Sequence, residues 1–378
     1  MWAAIVLTLA LQESASGLYA RGIELYNQGE IEAAVEALSK AAALGSNVPD
    51  YRYHLGLAYL KLGRPREAAR ELEAALGMMG LARETRAQEP KVLVQLAIAY
   101  LRLSNVQTAR KRIELALKRG EDTADVRYVL GLVESAEGNE AGAVEQFRAA
   151  IEKDRDHPDA NLALAKRLEA QGRTDEARES LRHASHARPS SFEIAMALGD
   201  LAFRANDLLE AEEAFAAAHA LSPADDRASY NLGTVLLARG RYAEAIELLR
   251  PLSERDDPED AAVFNLAEAY RATGAIESAR DLLRSLVERQ PWFEGASFAL
   301  GITLDALGDL GGAEAAYRSA LDRRGDDLAS LLNLASVLER LGRIDEARGL
   351  LEKALELPMD EGRARAIREA IQALAPGS

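Results

Sequence analysis

Residues 51–76, YRYHLGLAYLKLGRPREAARELEAAL, set a pattern that the rest of the chain repeats. Their apolar spacing predicts two short helices joined at Gly63. The landmarks of the stretch are, in order, Leu55, Gly56, Tyr59, Gly63, Ala68, Leu72 and Ala75. The same residue types return almost always after 34 positions, and a fixed period of this length is typical of proteins that stack one helical unit on the next.

The chain contains ten of these units. They start near Ala15, Pro49, Pro90, Ala124, Pro158, Phe192, Asp226, Asp260, Glu294 and Leu328. Eight of the nine intervals between starts are 34 residues long, and the interval that follows Pro49 is 41. Since each unit of such a stack contacts only its neighbours, the length of 378 residues does not imply several globular domains.

Side-chain size keeps the same phase in every unit. The eighth position is always Gly or Ala and the twentieth is always Ala, so these two columns predict where the helices of a unit cross closely. The seventh position is Leu in nine units, and the twenty-fourth is bulky in all ten. A single hairpin has too few bulky residues to offset the entropy of ordering it, so we expect stability to come from stacking.

Composition supports a nearly all-helical protein and excludes several kinds of function. Hydrophobic residues make up 48% of the chain and charged residues 28%, whereas aromatic residues make up only 5%. The formal net charge of -15 argues against general nucleic-acid binding, which needs a basic surface. Cysteine is absent, so disulfides, thiolate metal sites and a cysteine nucleophile are excluded.

The order and spacing of these residues resemble the tetratricopeptide repeat. That family places a large residue, Leu-Gly, an aromatic residue, a turn Gly, Ala, a bulky residue, Ala and Pro at these offsets, and the match extends over residues 15–359. The resemblance implies an all-α fold, a right-handed superhelical solenoid of stacked antiparallel helix pairs, which we assign to residues 15–360. It also implies that the first helix of each repeat lines the concave face and that the second helix lies outside.

Three features depart from a regular array. Glu134 replaces the Tyr or Leu of the family pattern, so the fourth repeat is expected to be looser or to use the carboxylate. Residues 78–89, MMGLARETRAQE, contain the seven extra residues and predict a lengthened second helix or a small loop. Residues 361–378 predict an amphipathic capping helix, with Ile367 and Ile371 on its apolar side, followed by a short tail.

The amino-terminal residues 1–11, MWAAIVLTLAL, form an apolar run of the length of a signal-peptide core, too short to span a bilayer. Ser14 and Ser16 then have the spacing of a cleavage site, although no Lys or Arg precedes the run. Residues 1–16 are therefore either a signal peptide, which slightly favours a periplasmic or secreted protein over a cytoplasmic one, or a short helix that caps the stack. Amino-terminal sequencing of the natively expressed protein distinguishes the two, because cleavage leaves Gly17 first whereas an intact start contradicts export.

Motifs for catalysis or cofactor binding are lacking. The sequence contains no GxSxG, no Gly-rich phosphate loop and no HExxH. His183 and His186 have a spacing that could hold a metal, but the sequence shows no third ligand and no carboxylate partner. We therefore expect no catalytic residue, no metal, no cofactor and no enzymatic activity.

The resemblance places positions two, five, six, nine and twelve of each first helix in the groove. Position five is aromatic in six of ten repeats: Tyr19, Tyr53, Tyr128, Tyr230, Phe264 and Phe298. These side chains either pack between neighbouring helices or form a row of apolar anchors for a partner. The amino-terminal half of the groove is apolar and suits an amphipathic helix.

Position six adds three amides, Asn231, Asn265 and Asn333, and Thr234, Glu268 and Arg271 lie nearby. An amide can donate and accept, so it can hold a peptide backbone without reading its sequence. This partly resembles the asparagine ladder in the repeat domain of O-linked N-acetylglucosamine transferases, although the transferase domain is absent. The Lys and Asn clamp that grips a chaperone's carboxylate in some family members does not appear.

The first functional hypothesis is a non-catalytic scaffold that binds a protein or peptide segment in the groove. The alternative is an adaptor subunit of an enzyme complex, glycosyltransferase-associated or envelope-assembling, whose catalytic partner is a separate chain. No nucleic acid and no transmembrane span are expected, and the sequence does not specify the partner or the oligomeric state. Hydrogen exchange with a bound partner tests the groove, because protection confined to the second helices contradicts it.

Overall fold

The computed structural model describes residues 14–79 and 89–374, and within these ranges the protein is a succession of α-helices without a β-strand. The prediction of an all-α fold built from antiparallel helix pairs is confirmed. The chain divides into two compact units, residues 1–189 and 190–378. Most of residues 1–16, most of the insertion at 78–89 and the tail 375–378 lie outside the described residues, so the predictions for them stay predictions.

The first unit contains five helix pairs. Its helices are α1 (Ala15–Gln28), α2 (Ile31–Leu44), α3 (Pro49–Lys61), α4 (Pro65–Met79), α5 (Glu89–Arg102), α6 (Val106–Lys118), α7 (Ala124–Ala136), α8 (Glu140–Lys153), α9 (Pro158–Ala170) and α10 (Thr174–Ala187). Odd-numbered helices are the first of each repeat, and even-numbered helices are the second. Each first helix packs on its own second helix and on the second helix of the preceding repeat.

The second unit contains five further pairs and a terminal helix. Its helices are α11 (Phe192–Arg204), α12 (Leu208–Leu221), α13 (Asp226–Ala238), α14 (Tyr242–Ser253), α15 (Asp260–Ala272), α16 (Ile276–Arg289), α17 (Ala296–Ala306), α18 (Leu310–Arg323), α19 (Leu328–Arg340), α20 (Ile344–Leu355) and α21 (Glu361–Ala373). Helix α21 covers the last pair with Ile367, which is buried, and Ile371 also packs against that core. The Arg348 guanidinium anchors the end of α21 by donating to the Leu374 carbonyl at 2.8 Å.

Within each pair the helices cross where a small residue faces a large one. The alanine at position twenty is fully buried in all ten repeats. The nearest neighbour of each glycine at position eight, however, is the bulky residue at position twenty-four. A Cβ added to Gly199 would lie 2.5 Å from Phe215 Cε1, and one added to Gly301 would lie 2.5 Å from Tyr317 Cε1. The two helices therefore cross closely where a small residue at position eight faces a large one at position twenty-four, so the close approach expected from the small columns does not require both helices to lack large side chains there.

The largest residues at position twenty-four occur only opposite the smallest residue at position eight, although glycine also faces Leu38, Leu72 and Leu249. Aromatic residues at position twenty-four always face glycine: Phe147 faces Gly131, Phe215 faces Gly199 and Tyr317 faces Gly301. Where position eight is alanine, position twenty-four is aliphatic, in the pairs Ala97–Ile113, Ala165–Leu181, Ala267–Leu283 and Ala335–Leu351. Burial also raises the pKa of the Tyr317 phenol to about 12, with a smaller contribution from Asp305.

The turn inside each pair requires one residue in the left-handed backbone conformation. Eight turns use glycine with positive φ, and the other two use Ser104 at φ 57° and Asn206 at φ 59°. Asparagine tolerates this conformation, but a serine there is strained because its Cβ crowds the following carbonyl. The third repeat therefore holds a strained residue at a position where glycine is standard.

An ion pair joins the end of the second helix to the start of the first in six repeats. We call these the clasp pairs: Arg119–Glu89, Lys153–Asp122, Arg188–Asp159, Arg255–Asp226, Arg289–Asp260 and Arg324–Glu294. The basic residue occupies position thirty or thirty-one of its repeat. Most of these side chains are partly exposed, so each pair contributes little free energy but fixes which helix ends meet.

Glu134 uses its carboxylate, which was one of the two expectations for the fourth repeat. Its Oε1 accepts a hydrogen bond from Arg110 Nη2 at 2.8 Å, and its Oε2 accepts one from Asn139 Nδ2 at 2.6 Å. The same arginine also contacts Glu137. The carboxylate therefore links its own repeat to the second helix of the preceding one.

The first prediction concerns the contact between positions eight and twenty-four. Gly199→Ala should lower the free energy of unfolding by about 1–2 kcal/mol, because the added methyl group collides with Phe215. The double variant Gly199→Ala, Phe215→Leu should be more stable than Gly199→Ala alone, since it recreates the Ala–Leu pairs of other repeats. Urea unfolding followed by circular dichroism measures both.

The control for this prediction is Gly349→Ala on α20, where an added Cβ meets nothing within 4 Å. That change should stabilise the protein by about 0.5–1 kcal/mol through helix propensity alone. Equal effects of the Gly199 and Gly349 changes would contradict the proposed collision.

The second prediction concerns the strained turn of the third repeat. Ser104→Gly should raise the free energy of unfolding by about 0.5–1 kcal/mol, because it relieves the left-handed strain at some cost in chain entropy. The reciprocal change Gly172→Ser, at φ 73°, should lower it. Thermal unfolding of the two variants should shift in opposite directions, and shifts of the same sign would show that the turn is not under strain.

Candidate functional site

The predicted site residues lie on the face formed by the first helices. Within the first unit α1 contacts α3, α3 contacts α5 and α5 contacts α7, and within the second unit α13, α15, α17 and α19 contact one another in sequence. Neighbouring first helices therefore lie side by side in each unit. Positions five, six and nine of successive repeats consequently come close together across the face.

The six aromatic residues at position five are half-buried. In the first unit, the Tyr19 ring lies 4.8 Å from the Tyr51 ring, and Tyr19 Oη lies 3.1 Å from His54 Nδ1. The rings of Tyr128 and His157 are 5.4 Å apart. These contacts support the packing interpretation of position five, while the exposed part of each ring remains accessible.

The aromatic residues of the second unit are packed in the same way. The rings of Phe264 and Phe293 are 5.4 Å apart, and those of Phe298 and Tyr317 are 5.9 Å apart. Tyr230 instead lines a surface cavity. The side chains at position five are therefore held on one side by packing against neighbouring residues, and only their other side is exposed.

Hydrogen bonds join position six of one repeat to position nine of the repeat before it. Asn231 Nδ2 donates to Asp200 Oδ1 at 3.2 Å, and Asn265 Nδ2 donates to Thr234 Oγ1 at 2.9 Å. Thr234 Oγ1 in turn donates to the Tyr230 carbonyl at 2.8 Å. The amides therefore connect first helices, and each still has its carbonyl oxygen and one N–H available.

No equivalent bond joins the eighth repeat to the ninth or the ninth to the tenth, all of which lie within the described residues. Position six of the ninth repeat is Ala299, so Glu268 at the preceding position nine has no amide to accept from and is held by Arg271 at 2.9 Å. Position nine of the ninth repeat is Ile302, which offers Asn333 no polar group. The half-buried Asn333 amide has no hydrogen-bond partner among the described residues.

A cavity of about 310 Å³ brings several predicted residues together. It lies between α11 and α13, and its lining is Asp200, Phe203, Arg204, Phe215, Tyr230, Asn231 and Thr234. Sequence reasoning missed Asp200 and Phe203, although they occupy positions nine and twelve of the sixth repeat and could have been found by the rule used for the others. Phe203 is 39% exposed, which is unusual for so large an apolar side chain.

The structure corrects one statement about the histidines. His183 does have carboxylate neighbours, because its Nδ1 lies 3.2 Å from Asp156 Oδ1 and its Nε2 lies 3.4 Å from Glu179 Oε1. Asp156 comes from the preceding repeat, so sequence spacing did not reveal it. Across residues 14–79 and 89–374, no group of three or more His, Cys, Asp or Glu residues is arranged to hold a metal.

None of the described helices combines the length and the apolar character needed to cross a bilayer.

Family models of the tetratricopeptide repeat match nearly the whole array. Matches described as tetratricopeptide repeat cover residues 49–78, 94–158, 135–201, 202–263, 236–292 and 298–373, and one described as TPR repeat covers residues 22–63. The chain is a tetratricopeptide repeat protein. Repeats of this family form scaffolds for protein–protein interaction, and this protein has that scaffold over most of its length. Among curated proteins, none matches the sequence.

Several solved structures are similar to this tetratricopeptide repeat protein at low identity. A tetratricopeptide repeat protein from Parabacteroides merdae is 14% identical, with 66% of this chain and 98% of that chain covered and a TM-score of 0.46. YrrB, described as a TPR protein with an unusual peptide-binding site, is 20% identical, with coverage of 50% and 97% and a TM-score of 0.44. Yeast Tom70 is 14% identical, with coverage of 95% of both chains and a TM-score of 0.40.

The third prediction tests the ladder of this tetratricopeptide repeat protein. Thr234→Val keeps the side-chain shape but removes the acceptor of the Asn265 amide, so it should lower the free energy of unfolding by about 1 kcal/mol. The Asn265 side-chain amide resonances should shift in a heteronuclear NMR spectrum, whereas those of Asn333 should not. Unchanged Asn265 resonances would show that the inter-repeat bond is absent in solution.

Proposed function

We propose that this tetratricopeptide repeat protein is a non-catalytic scaffold that binds an extended segment of a partner protein across the first-helix face of residues 190–378. The observation that carries the proposal is the row of amides at position six. Asn231 and Asn265 are oriented by their bonds to Asp200 and Thr234, and each keeps an acceptor and a donor for a ligand. Held amides of this kind suit the repeating N–H and C=O groups of a peptide backbone.

The spacing of the amides supports an extended rather than a helical ligand. Asn231 and Asn265 lie on adjacent first helices, α13 and α15, which contact each other. Packed helices are about 8–10 Å apart, and an extended chain advances about 3.3 Å per residue. Successive amides would therefore contact about every third residue of an extended segment.

The surroundings of the amides indicate what else the segment offers. Tyr230, Phe264 and Phe298 provide partly exposed rings for apolar side chains. Glu268 and Arg271 form an ion pair, so together they add no net charge to the site. Their separate charges can orient a ligand without raising its overall electrostatic attraction. The overall charge of -15 favours a neutral or basic partner over an acidic one.

The first unit contributes an apolar face to the same function. Tyr19, Tyr53 and Tyr128 stand at position five there, and burial raises the pKa of the Tyr53 phenol, with smaller contributions from Tyr26, Asp125 and Asp50. The Tyr53 phenol consequently stays protonated in any physiological buffer and can donate a hydrogen bond. We assign these tyrosines the apolar part of a partner, such as one side of an amphipathic helix.

The fourth prediction uses Asn333, because its amide makes no internal hydrogen bond. Asn333→Ala should weaken binding of a peptide selected by display on the intact protein by about 5–10-fold, as expected for the loss of one or two hydrogen bonds. The melting temperature should stay unchanged. Isothermal titration calorimetry measures the affinity, and Gln372→Ala, which removes an exposed amide on α21, is the matched control.

Two outcomes would contradict the proposal. Equal affinities of an Asn231→Ala, Asn265→Ala double variant and the Gln372→Ala variant would remove the held amides from recognition. Crosslinks of the partner confined to second helices would remove the first-helix face. Co-purification of an enzymatic activity carried by a separate chain would instead support the adaptor role in an enzyme complex.

A further inference from the structure

A second cavity, of about 260 Å³, lies beside the ninth and tenth repeats. It is bounded by the turn before α17, the start of α17, the end of α18 and the start of α19. Its lining residues include Pro291, Phe293, Phe298, Arg323, Arg324 and Ser330. Only Phe298 is shared with the proposed peptide site, so the cavity can be tested apart from it.

Ser330 is the first unusual feature of this cavity. Position three of the first helix is a buried apolar residue in the third to ninth repeats: Val92, Val126, Ala160, Ile194, Ala228, Ala262 and Ala296. In the tenth repeat it is Ser330, whose residue exposure is 0%. The Ser330 N–H donates to Asp327 Oδ2 at 2.9 Å, but its Oγ has no hydrogen-bond partner among the described residues. A buried hydroxyl without a partner is costly, so it indicates a partner from outside the chain.

Two further hydroxyl groups lie in the same lining. Ser297 Oγ and Ser319 Oγ are 3.3 Å apart, and Ser297 is buried. One of the two donates to the other, so the second keeps its proton for another acceptor. The cavity therefore presents two hydroxyl protons that internal bonds leave available.

Arg323 is the second unusual feature. Position thirty is basic in five repeats, and in four of them it forms the clasp pair of its repeat, through Arg119, Lys153, Arg255 and Arg289. In the ninth repeat Arg324 takes this pair with Glu294 at 3.4 Å, and Arg323 at position thirty makes no ion pair with any described residue.

The charges that line the cavity balance, because Arg323 and Arg324 are matched by Glu294 and Asp327. Glu294 is paired with Arg324, and Asp327 caps the amino terminus of α19 by accepting from the Ser330 N–H. Arg323 is therefore the cation without an ion-pair partner. Because the lining has no net positive charge, a singly charged anion suits it better than a dianion, and a planar carboxylate matches the fork of a guanidinium.

We propose that this cavity binds the carboxylate of a small aromatic or apolar acid, either a free organic acid or the carboxyl terminus of a polypeptide. Arg323 pairs with the carboxylate, and Ser330 and the Ser297–Ser319 pair donate hydrogen bonds to it. The apolar part of the ligand lies against Pro291, Phe293 and Phe298. An engineered cavity of about 150 Å³ can hold benzene, so this larger one has room for an aryl carboxylate.

The fluorescence of Trp292 can report ligand binding in this cavity. This residue lies between two lining residues, is 67% exposed, and is one of two tryptophans in the chain, the other being Trp2. In a Trp2→Phe background, titration with benzoate should change Trp292 fluorescence saturably, whereas neutral benzamide of the same shape should bind at least about 10-fold more weakly. An acetylated tripeptide ending in Phe, with a free or an amidated carboxyl terminus, distinguishes the two sources of the carboxylate.

Variants test the assigned roles. Arg323→Gln and Ser330→Ala should each weaken benzoate binding about 10-fold, whereas Arg324→Gln should change it less than about 2-fold. Ser330→Ala is expected to fold, because alanine occupies the same position in four other repeats. Equal binding of benzoate and benzamide, no saturable binding of any probe, or unchanged affinity in Arg323→Gln would overturn the proposal. Higher stability of Ser330→Ala together with no carboxylate binding would show that the hydroxyl is only an uncompensated defect.

Discussion

The contact between positions eight and twenty-four sets the distance between the two helices of each repeat. Glycine admits Phe147, Phe215 or Tyr317 at the facing position, and alanine is found only opposite an aliphatic residue. These two pairings fill nearly the same volume, while in three repeats glycine faces Leu38, Leu72 or Leu249, so the hairpin accommodates moderate differences in side-chain size at this contact. Because the frame is fixed by this interior contact, positions five, six and nine on the first-helix face can vary without disturbing the stack.

The polar groups between repeats have a different role from the interior contact. The clasp pairs are mostly exposed, so they add little to the free energy of unfolding, yet they fix which helix ends come together. The bonds from Asn231 to Asp200 and from Asn265 to Thr234 similarly fix one first helix against the next. Each polar side chain that completes such a bond also has less hydrogen-bonding capacity left for a ligand. The side chains that join these helices are therefore the same ones to which we assign recognition in our proposal.

The sequence was sufficient for the frame because side-chain size is visible in it at a constant period. The left-handed turns at Ser104 and Asn206 and the buried alanines at position twenty follow from the same columns. The hydrogen bonds of the candidate site could not be predicted in this way, since Asn231 and Asp200 are 31 residues apart and meet only after repeats stack. Separations of 27 and 24 residues likewise hid the Asp156 neighbour of His183 and the Arg110 neighbour of Glu134. Residue type indicated which side chains could hydrogen-bond a ligand. Only the structure showed which of them already form hydrogen bonds within the protein.

Positions where the repeat pattern is broken are the places where binding capacity remains. Ala299 and Ile302 interrupt the ladder, so Glu268 turns to Arg271 and Asn333 is left without a partner. In the same two repeats, the clasp pair shifts by one residue to Arg324 and leaves Arg323 unpaired, while Ser330 replaces a buried apolar residue. Of these groups only Ser330 is fully buried, so its hydroxyl has the clearest cost in stability, whereas Asn333 is half-buried and Arg323 is exposed. Buried polar atoms without a partner also occur at Arg52, Arg112, Arg167 and Arg250, so such departures are not confined to the ninth and tenth repeats. What distinguishes these two repeats is that an amide, a guanidinium and a hydroxyl all lack an internal partner there, and these are the groups to which we assign ligands.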